Sequence, residues 1–411
     1  MTPVDDSQLP RLAIFYDEAS APVFELVAAA RDLCRILWLV GWSRHQPGRR
    51  MLSRFGEVMD FDGKSSTEIV DQVVASAPDG VIVFSDSPLL LAAEAACRLG
   101  LAFHSPTTAR LLVDKLAQRQ ALREAGLPVP VFEPVGPSTP DVQVPFPAVL
   151  KPRSGEGSRD VFLVETFDEL SAALSRCSPK QEFMLEELLL DRSAPGSPSA
   201  DIVSVESIVD GADIQHVMVT GRLPFAPPFR ETGSFLPSNL TSSDWDAVTA
   251  LAGEAAKALA ITTGVLHTEI KLTPQGPRLI EVNGRLGGEI TSLLSRAGGP
   301  SLTHWAMKLA LGLDIGRFPH ISTSRVAFFR LIVAPVSATK ISSIDGVAEL
   351  SDLAGINSVE MRLQPGDNVD AQMGFMGYVL KLDGVVDSHA QLFSLMDTIE
   401  STLTLKWDFA S

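Results

Sequence analysis

Glu269, Glu281 and Asn283 lie where two strand-like segments can bring their oxygen atoms together. The stretch from Gly264 to Glu289, GVLHTEIKLTPQGPRLIEVNGRLGGE, reads as a hairpin turned at Thr273-Pro274-Gln275-Gly276. Side chains alternate along a strand, so Glu281 and Asn283 share a face and the turn folds Glu269 back beside them. Such hard donors suit Mg²⁺, which keeps several waters and shares its shell with substrate phosphates. Taken singly, each carboxylate reads as a solvated strand charge. The ordered set points to a metal site, and it raises the question of where phosphates would be held.

A candidate cradle lies upstream in PAVLKPRSGEGSRDVFLVE, from Pro147 to Glu165. A short apolar strand ends at Lys151, and a loop from Ser154 to Ser158 leads into a second strand. Glycines let backbone N–H groups converge on an anion, and a lysine at the strand end adds a point charge. The loop alone reads equally well as an ordinary flexible turn. It is neither a GxxxxGK[ST] loop nor a GxGxxG fingerprint. Between cradle and hairpin runs FMLEELLL, from Phe183 to Leu190, an apolar segment interrupted by Glu186 and Glu187.

In this order, with Lys115 closing VDK ahead of them, these segments resemble the ATP-grasp superfamily from Lys115 to Gly288, and both flanks are more loosely similar. The resemblance implies an ATP-grasp fold, α/β and α+β in class. An N-terminal parallel βαβ domain would span 1–105 and a two-lobed ATP-clamping domain 106–325, its lobes dividing near 185. A small C-terminal α+β lobe, packed against the metal hairpin, would span 326–411. ATP is the implied co-substrate and Mg²⁺ the implied metal, as two ions, with Mn²⁺ as a substitute. Lys115 and Lys151 match lysines that grip the α- and β-phosphates, and Ser154, Gly155, Gly157 and Ser158 would cover the β/γ region. Glu186, Glu187 and Leu189 match the hinge that receives adenine, and Asp201 matches a ribose acceptor. Glu269, Glu281 and Asn283 match the metal ligands. Arg285, with Lys151, takes the catalytic position beside the transferred phosphoryl group, where a planar fork suits tetrahedral oxyanions. Gly287 and Gly288 would offer backbone N–H groups to a substrate carboxylate, as would Arg285 its guanidinium.

The chain departs from the family pattern in two places. The register at Asp201 is off by one beside the insertion 191–200, DRSAPGSPSA, which reads as a mobile surface loop. In PFAPPFRETGSFLPSNL, which resembles the loop shaping the amino-acid pocket, Glu231 holds the acidic position, but Ser234 stands where many relatives have His. Arg230 either binds an acidic group or is an exposed arginine. His267 either faces the site or is a hydrogen-bonded structural histidine.

The implied reaction is ligation. A carboxylate attacks the γ-phosphate of ATP to give an acyl phosphate, and an amine captures it with release of ADP and phosphate. The reading is an acid–amino-acid ligase joining small carboxylate and amine substrates into a dipeptide or related amide. One alternative is an ATP-grasp ligase with a ribosylamine or bicarbonate acceptor, although no biotin-carrying lysine motif appears. Another is a non-catalytic nucleotide-binding module, against which the intact metal set speaks. Relatives suggest a homodimer formed through the N-terminal region.

Composition fits this. A chain of 411 residues is long for one core, and 45% hydrophobic with 20% charged residues describes a packed globular protein. The net charge of −16 and the lack of a basic run argue against a nucleic-acid partner. Anionic ATP then needs a local basic cleft, which Lys115, Lys151, Arg153 and Arg285 can supply. Cys34, Cys97 and Cys177 lack CxxC spacing and read as buried free thiols. No run of about 18 apolar residues exists and the N-terminus has no signal-like pattern, so no membrane partner and a cytoplasmic location are expected.

The elements that must position these residues follow from the pattern. RLAIFY, ILWLVGW and GVIVFS alternate with helical segments Val23 to Cys34 and Ser65 to Ala77, indicating parallel βαβ units. A helix over Leu89 to Leu99 and another over Pro106 to Ala125 follow, the second stopped by Gly126 and Pro128. Val131 to Pro145 reads as a linker or irregular edge. Along DIVSVESIV, Ile202, Ser204, Glu206 and Ile208 share one face, leaving Glu206 on the more polar side. The C-terminal part reads as strand, strand, helix, strand, strand and a long helix from Ser388 to Leu403.

Overall fold

The computed structural model describes residues 8–16, 21–41, 48–321 and 324–409. Near the N-terminus β1 (Arg11–Phe15), β2 (Arg35–Val40), β3 (Glu57–Asp60) and β4 (Gly80–Val83) form a parallel sheet in the order β3-β2-β1-β4. Leu12 to Phe15 and Leu37 to Val40 are buried without alternation, because helices cover both faces and every side chain meets a core. The helix after β3 begins at Ser65, whose hydroxyl and the Glu68 carboxylate cap each other's backbone N–H groups. The first predicted helix closes at Ala30, short of Cys34. Trp42 and the first seven residues lie outside the described residues. Of the cysteines only Cys34 is buried; Cys97 is exposed and Cys177 intermediate.

Two further sheets form the rest of the frame. β5 (Phe132–Val135), β6 (Ala148–Pro152), β7 (Phe162–Val164) and β8 (Phe183–Glu187) make a four-stranded antiparallel sheet ordered β5-β8-β6-β7. Part of the expected linker is therefore a strand, which Phe132 and Val135 anchor by burial. The large sheet gathers β9 (Ala200–Asp210), β10 (Asp213–Arg222), β11 (Gly233–Leu236), β12 (Thr263–Thr273) and β13 (Gly276–Asn283). It continues through β14 (Val326–Val333), β16 (Ile356–Met361) and β17 (Tyr378–Val386), in the order β13-β12-β9-β10-β11-β14-β17-β16. The C-terminal strands thus extend the hairpin's own sheet at its opposite edge, which corrects the expectation of a lobe packed against the hairpin. β15 (Ala338–Asp345) pairs with β18 (Thr404–Phe409), a last strand with no forecast in the sequence reading.

The N-terminal sheet joins this frame through the helices Ile290–Arg296 and Leu302–Ala310. The approach is close: a Cβ on Gly80 would sit 2.4 Å from the carbonyl oxygen of Ala310. On the other side, Leu112 and Leu122 share a core with Val205, Leu266 and Val282 of the large sheet.

The helix expected over Pro106 to Ala125 is broken at Asp114 into Pro106–Val113 and Lys115–Glu124. Asp114 is extended (φ −108°, ψ 101°) and its carboxylate accepts from the N–H groups of Leu116 and Ala117 at 3.0 and 3.2 Å, capping the second helix. It also accepts from Arg153 Nε at 3.2 Å, while Lys115 N donates to Arg153 O at 2.8 Å. The break thereby fixes Lys115 beside the end of β6. Asp114→Ala is expected to cost about 1–2 kcal/mol from cap loss. Asp114→Asn should retain most of that, as read from thermal denaturation followed by circular dichroism. Equal Tm values for wild type and the alanine variant would remove the cap from this account.

Candidate active site

The small and large sheets face one another across a cleft of about 980 Å³. Its walls carry Lys115, Lys151, Gly155, Gly157, Ser158, Glu186, Glu187, Leu189 and Asp201, together with Glu231, Glu269, Glu281, Asn283, Arg285 and Gly288. Cradle and hairpin therefore open into a shared crevice. Of the expected site residues, Ser154 and Gly287 do not line it.

On the small sheet, Lys151 leaves β6 next to Glu186 of β8, which faces Val149 in the register. Lys151 Nζ lies 2.6 Å from Glu186 Oε2, and the fully buried Arg119 places Nε 2.7 Å from Oε1. The Arg119 contact is an ion pair without hydrogen-bond alignment. Burial disfavours the Glu186 charge, but two cations on one carboxylate outweigh it and hold the acid below its usual range. Lys151 is shifted down, first by burial and then by Arg119 against the pull of Glu186, so its ammonium is poorly compensated and disposed toward further negative charge. The Glu186 side chain is committed to this cluster. Glu187 is tied as well, its Oε2 accepting from Val131 N at 2.8 Å. A planar ligand at this hinge would therefore meet main-chain groups beyond β8, where Leu189 lines the cleft.

On the hairpin, β12 and β13 pair so that Glu269 lies opposite Glu281 and His267 opposite Asn283. The turn needs only Pro274 and Gln275, with Gly276 at φ +104°. Strand alternation then brings all four residues to one face. Glu281 Oε1 meets Lys115 Nζ at 2.8 Å, and Lys115 Nζ also donates to Gly155 O at 2.5 Å, so one ammonium joins hairpin and loop. Two carboxylates and an amide oxygen fit a hard divalent cation that completes its shell with water or phosphate. Among the described residues no cluster of three His, Cys, Asp or Glu stands ready as a closed metal cage.

Behind Glu269 lies a network that the sequence did not disclose. Arg222, buried at the end of β10, is paired with Glu231 and donates to Ser234 Oγ at 2.9 Å and Ser204 Oγ at 2.7 Å. Its Nη2 is 3.3 Å from His267 Nε2 and 3.5 Å from Glu269 Oε1. His267 is a network histidine, paired through Nδ1 with the fully buried Glu206. Burial opposes its charge, yet Glu206 and Glu269 raise its pKa to about 9. Glu269 is in turn lowered to about 2, its desolvation overcome by His267 and Arg222. Ser234 serves as a link, donating to Glu231 at 2.7 Å.

Arg285 Nη2 meets Asp86 at 2.7 Å and Glu156, in the glycine loop, at 3.1 Å. Asp86 follows β4 at the carboxyl end of the parallel sheet, the edge where such sheets place ligand contacts. The loop also docks on the C-terminal segment Ala371–Gly377, for Phe375 N donates to Gly157 O at 2.8 Å. Gly374, at φ +58°, permits this; a Cβ there would meet that oxygen at 1.9 Å.

Other expectations fare differently. Both Asp201 oxygens accept from Ser193, at 2.5 Å from N and 2.9 Å from Oγ. Lys271 pairs with Asp191, and Arg192 with Asp244 at 2.7 Å. The insertion expected as a surface loop is thus anchored by its polar side chains and forms one wall of the cleft. Gly287 donates inward to Glu206 at 3.4 Å, and its Cα packs on the His267 ring, so its N–H is turned from the cleft. Arg230 is buried and donates to the carbonyls of Pro227 and Ala334, both at 2.8 Å, so it is not the exposed arginine and does not line the cleft.

Comparison with known proteins bears on the domain and the fold. Residues 144–293 match the model of the ATP-grasp domain. Carnosine synthase 1 of Gallus gallus is 31% identical over 262 residues, covering 57% of this chain and 27% of that protein. The L-arginine-specific L-amino acid ligase of Bacillus subtilis is 22% identical over 348 residues, 80% of each chain. The chain spans about half or less of the length of the curated relatives it matches at 30% identity or more. The crystal structure of an L-amino acid ligase from Bacillus licheniformis superposes with a TM-score of 0.78 at 21% identity, covering 97% of this chain and 99% of that one. Residues 144–293 are therefore an ATP-grasp domain, set in a chain that has the ATP-grasp fold along its described length.

Proposed function

We propose that the protein is an ATP-dependent carboxylate–amine ligase that joins amino acids or amino-acid-like substrates through an acyl phosphate. The observation that carries this reading is the Lys115 ammonium, which bridges Gly155 of the loop and Glu281 of the hairpin and so brings anion cradle and acidic ribbon together. The names of the relatives, a carnosine synthase and L-amino acid ligases, favour amide formation over the other acceptors.

Lys151 and Lys115 would receive the α- and β-phosphates, with the N–H groups of Gly155, Gly157 and Ser158 over the β/γ region. Glu269, Glu281 and Asn283 would hold a divalent cation, which supplies charge neutralisation around the phosphoryl oxygens. Arg285 would exchange its Glu156 contact for the transferring phosphoryl group while Asp86 keeps the guanidinium oriented. A carboxylate oxygen then attacks the γ-phosphorus and ADP leaves; an amine nitrogen attacks the resulting acyl carbon, losing a proton as inorganic phosphate departs. The cleft would hold the reactants side by side, which favours capture of the acyl phosphate by the amine.

Incubation with ATP, Mg²⁺ and pools of carboxylates and amines should yield ADP and phosphate only when both pools are present. AMP and pyrophosphate would contradict the mechanism, and no turnover with any pool would favour a binding module. Glu281→Ala is expected to lower kcat on the order of 100-fold or more, with an unchanged circular dichroism spectrum. Near-normal kcat would remove Glu281 from the site.

Glu156 gives a pH signature. Burial raises its pKa to about 7, Arg285 opposing and Asp86 adding to the rise. Because the folded state then binds the proton more tightly than the unfolded one, its stabilising contribution is full below the ordinary glutamate range and is lost as pH climbs through about 7. Relative to wild type, Glu156→Gln should therefore gain Tm between about pH 5 and pH 8. The gain is modest, since 35% of the side chain remains exposed. A Tm difference independent of pH would contradict the shift.

A further inference from the structure

Besides these polar landmarks the cleft has an apolar patch, which comes from two loops far apart in sequence. Phe225 and Phe229 precede β11, whereas Met373, Phe375 and Met376 precede β17. All five line the cleft and are half-buried, so each packs on the protein with part of its surface and leaves the rest open to an occupant. We propose that these side chains seat an extended apolar side chain on the carboxylate substrate, a proposal that rests on the ligase reading above.

The backbone explains why two distant loops make one wall. Thr232 Oγ1 donates to Pro224 O at 2.7 Å, and Arg230 joins Pro227 O to Ala334 O, immediately beyond β14. Val333, the last residue of β14, is paired with Tyr378, the first of β17. Both loops therefore lie at the same end of the large sheet, ahead of the two strands that flank β14. Apart from Pro224, Pro228 and Glu231, these loops line the cleft with ring and thioether surface, adaptable to an irregular hydrocarbon.

Position decides which substrate is meant. The wall adjoins the phosphate loop directly through the bond from Phe375 N to Gly157 O and the Cβ-free approach of Gly374. The molecule whose carboxylate takes up the phosphoryl group must lie against that loop, and the amine arrives only afterwards. Polarity decides which side chain. Arg159, with Nη2 3.9 Å from Met373 Sδ, and Arg362, stacked 4.9 Å over the Tyr378 ring, both line this part of the cleft and disfavour a cationic group. An acidic side chain is the competing occupant.

The test uses the full chain with L-methionine, L-leucine, L-phenylalanine, glycine, L-glutamate and L-lysine, each with Mg-ATP and a mixed amine pool. ADP formation should show kcat/KM for the large apolar amino acids on the order of 10- to 200-fold above glycine and both charged ones. Phe229→Ala and Met376→Ala should each raise KM for L-methionine by about 10-fold, leaving KM for ATP and the circular dichroism spectrum unchanged. Preference for glutamate, lysine or glycine, or variants indistinguishable from wild type toward L-methionine, would overturn the seat while leaving a ligase. Calorimetric binding of the apolar amino acids to the Mg-ADP form, weakened in both variants, without ADP formation from any pool would uphold the seat and sink the ligase reading. Neither binding nor turnover would overturn both.

Discussion

The site depends on concentrating cations within an acidic protein. A chain with net charge −16 gathers cations at this cleft by burying Lys151, Arg119, Arg222 and Arg285, and half-burying Lys115, around carboxylates of its own. An unpaired buried charge costs several kcal/mol, so each cation requires a partner before any ligand arrives. Glu186, Glu231, Glu281, Asp86 and Glu156 provide that compensation, and each partner constrains its cation's geometry. Lys115 is the most consequential of these, because its contacts belong to different sheets. Burial works against its charge, but Glu281 raises its pKa and keeps the ammonium protonated.

The same logic separates the two acidic groups nearest Arg285. Asp86 is fixed on a strand end of the parallel sheet, whereas Glu156 sits in a loop of small residues with Gly155 and Gly157 at positive φ. One carboxylate adjoins the frame, and the other belongs to a more exposed loop. Around Glu269 no partner is comparably exposed, since Arg222, His267 and Glu206 are all buried on neighbouring strands of one sheet.

Much of this was legible in the sequence because it depends on local rules. Alternation and a two-residue turn predict the facing of Glu269 and Glu281, and unbroken apolar runs predict the parallel strands that the structure contains. The alternation of DIVSVESIV also puts Ser204 and Glu206 on the network's face. What escaped has no local signature. Arg222 precedes an ordinary Leu-Pro and is recognisable only when Ser204, Ser234 and Glu231 surround it; Asp86 needs the packing of two sheets to meet Arg285, 199 residues away. The break at Asp114 was available as a capping aspartate but was masked by helix-forming residues on both sides. The wall formed by 191–199 reads as a loop by composition, and only its pairing with Asp201, Lys271 and Asp244 shows that it is held.

The eight-stranded sheet carries the acidic ribbon at one edge and the C-terminal strands at the other, linked without a gap by backbone hydrogen bonds. Its parts cannot separate without tearing a ladder. The smaller antiparallel sheet shares no ladder with it, so the two are tied by single contacts: the Lys115 ammonium between Gly155 O and Glu281, and the carbonyls of Pro128 and Val129 on β13. The Phe375 amide on Gly157 O adds a main-chain tie, so the glycine loop is anchored from the C-terminal segment as well as from the hairpin.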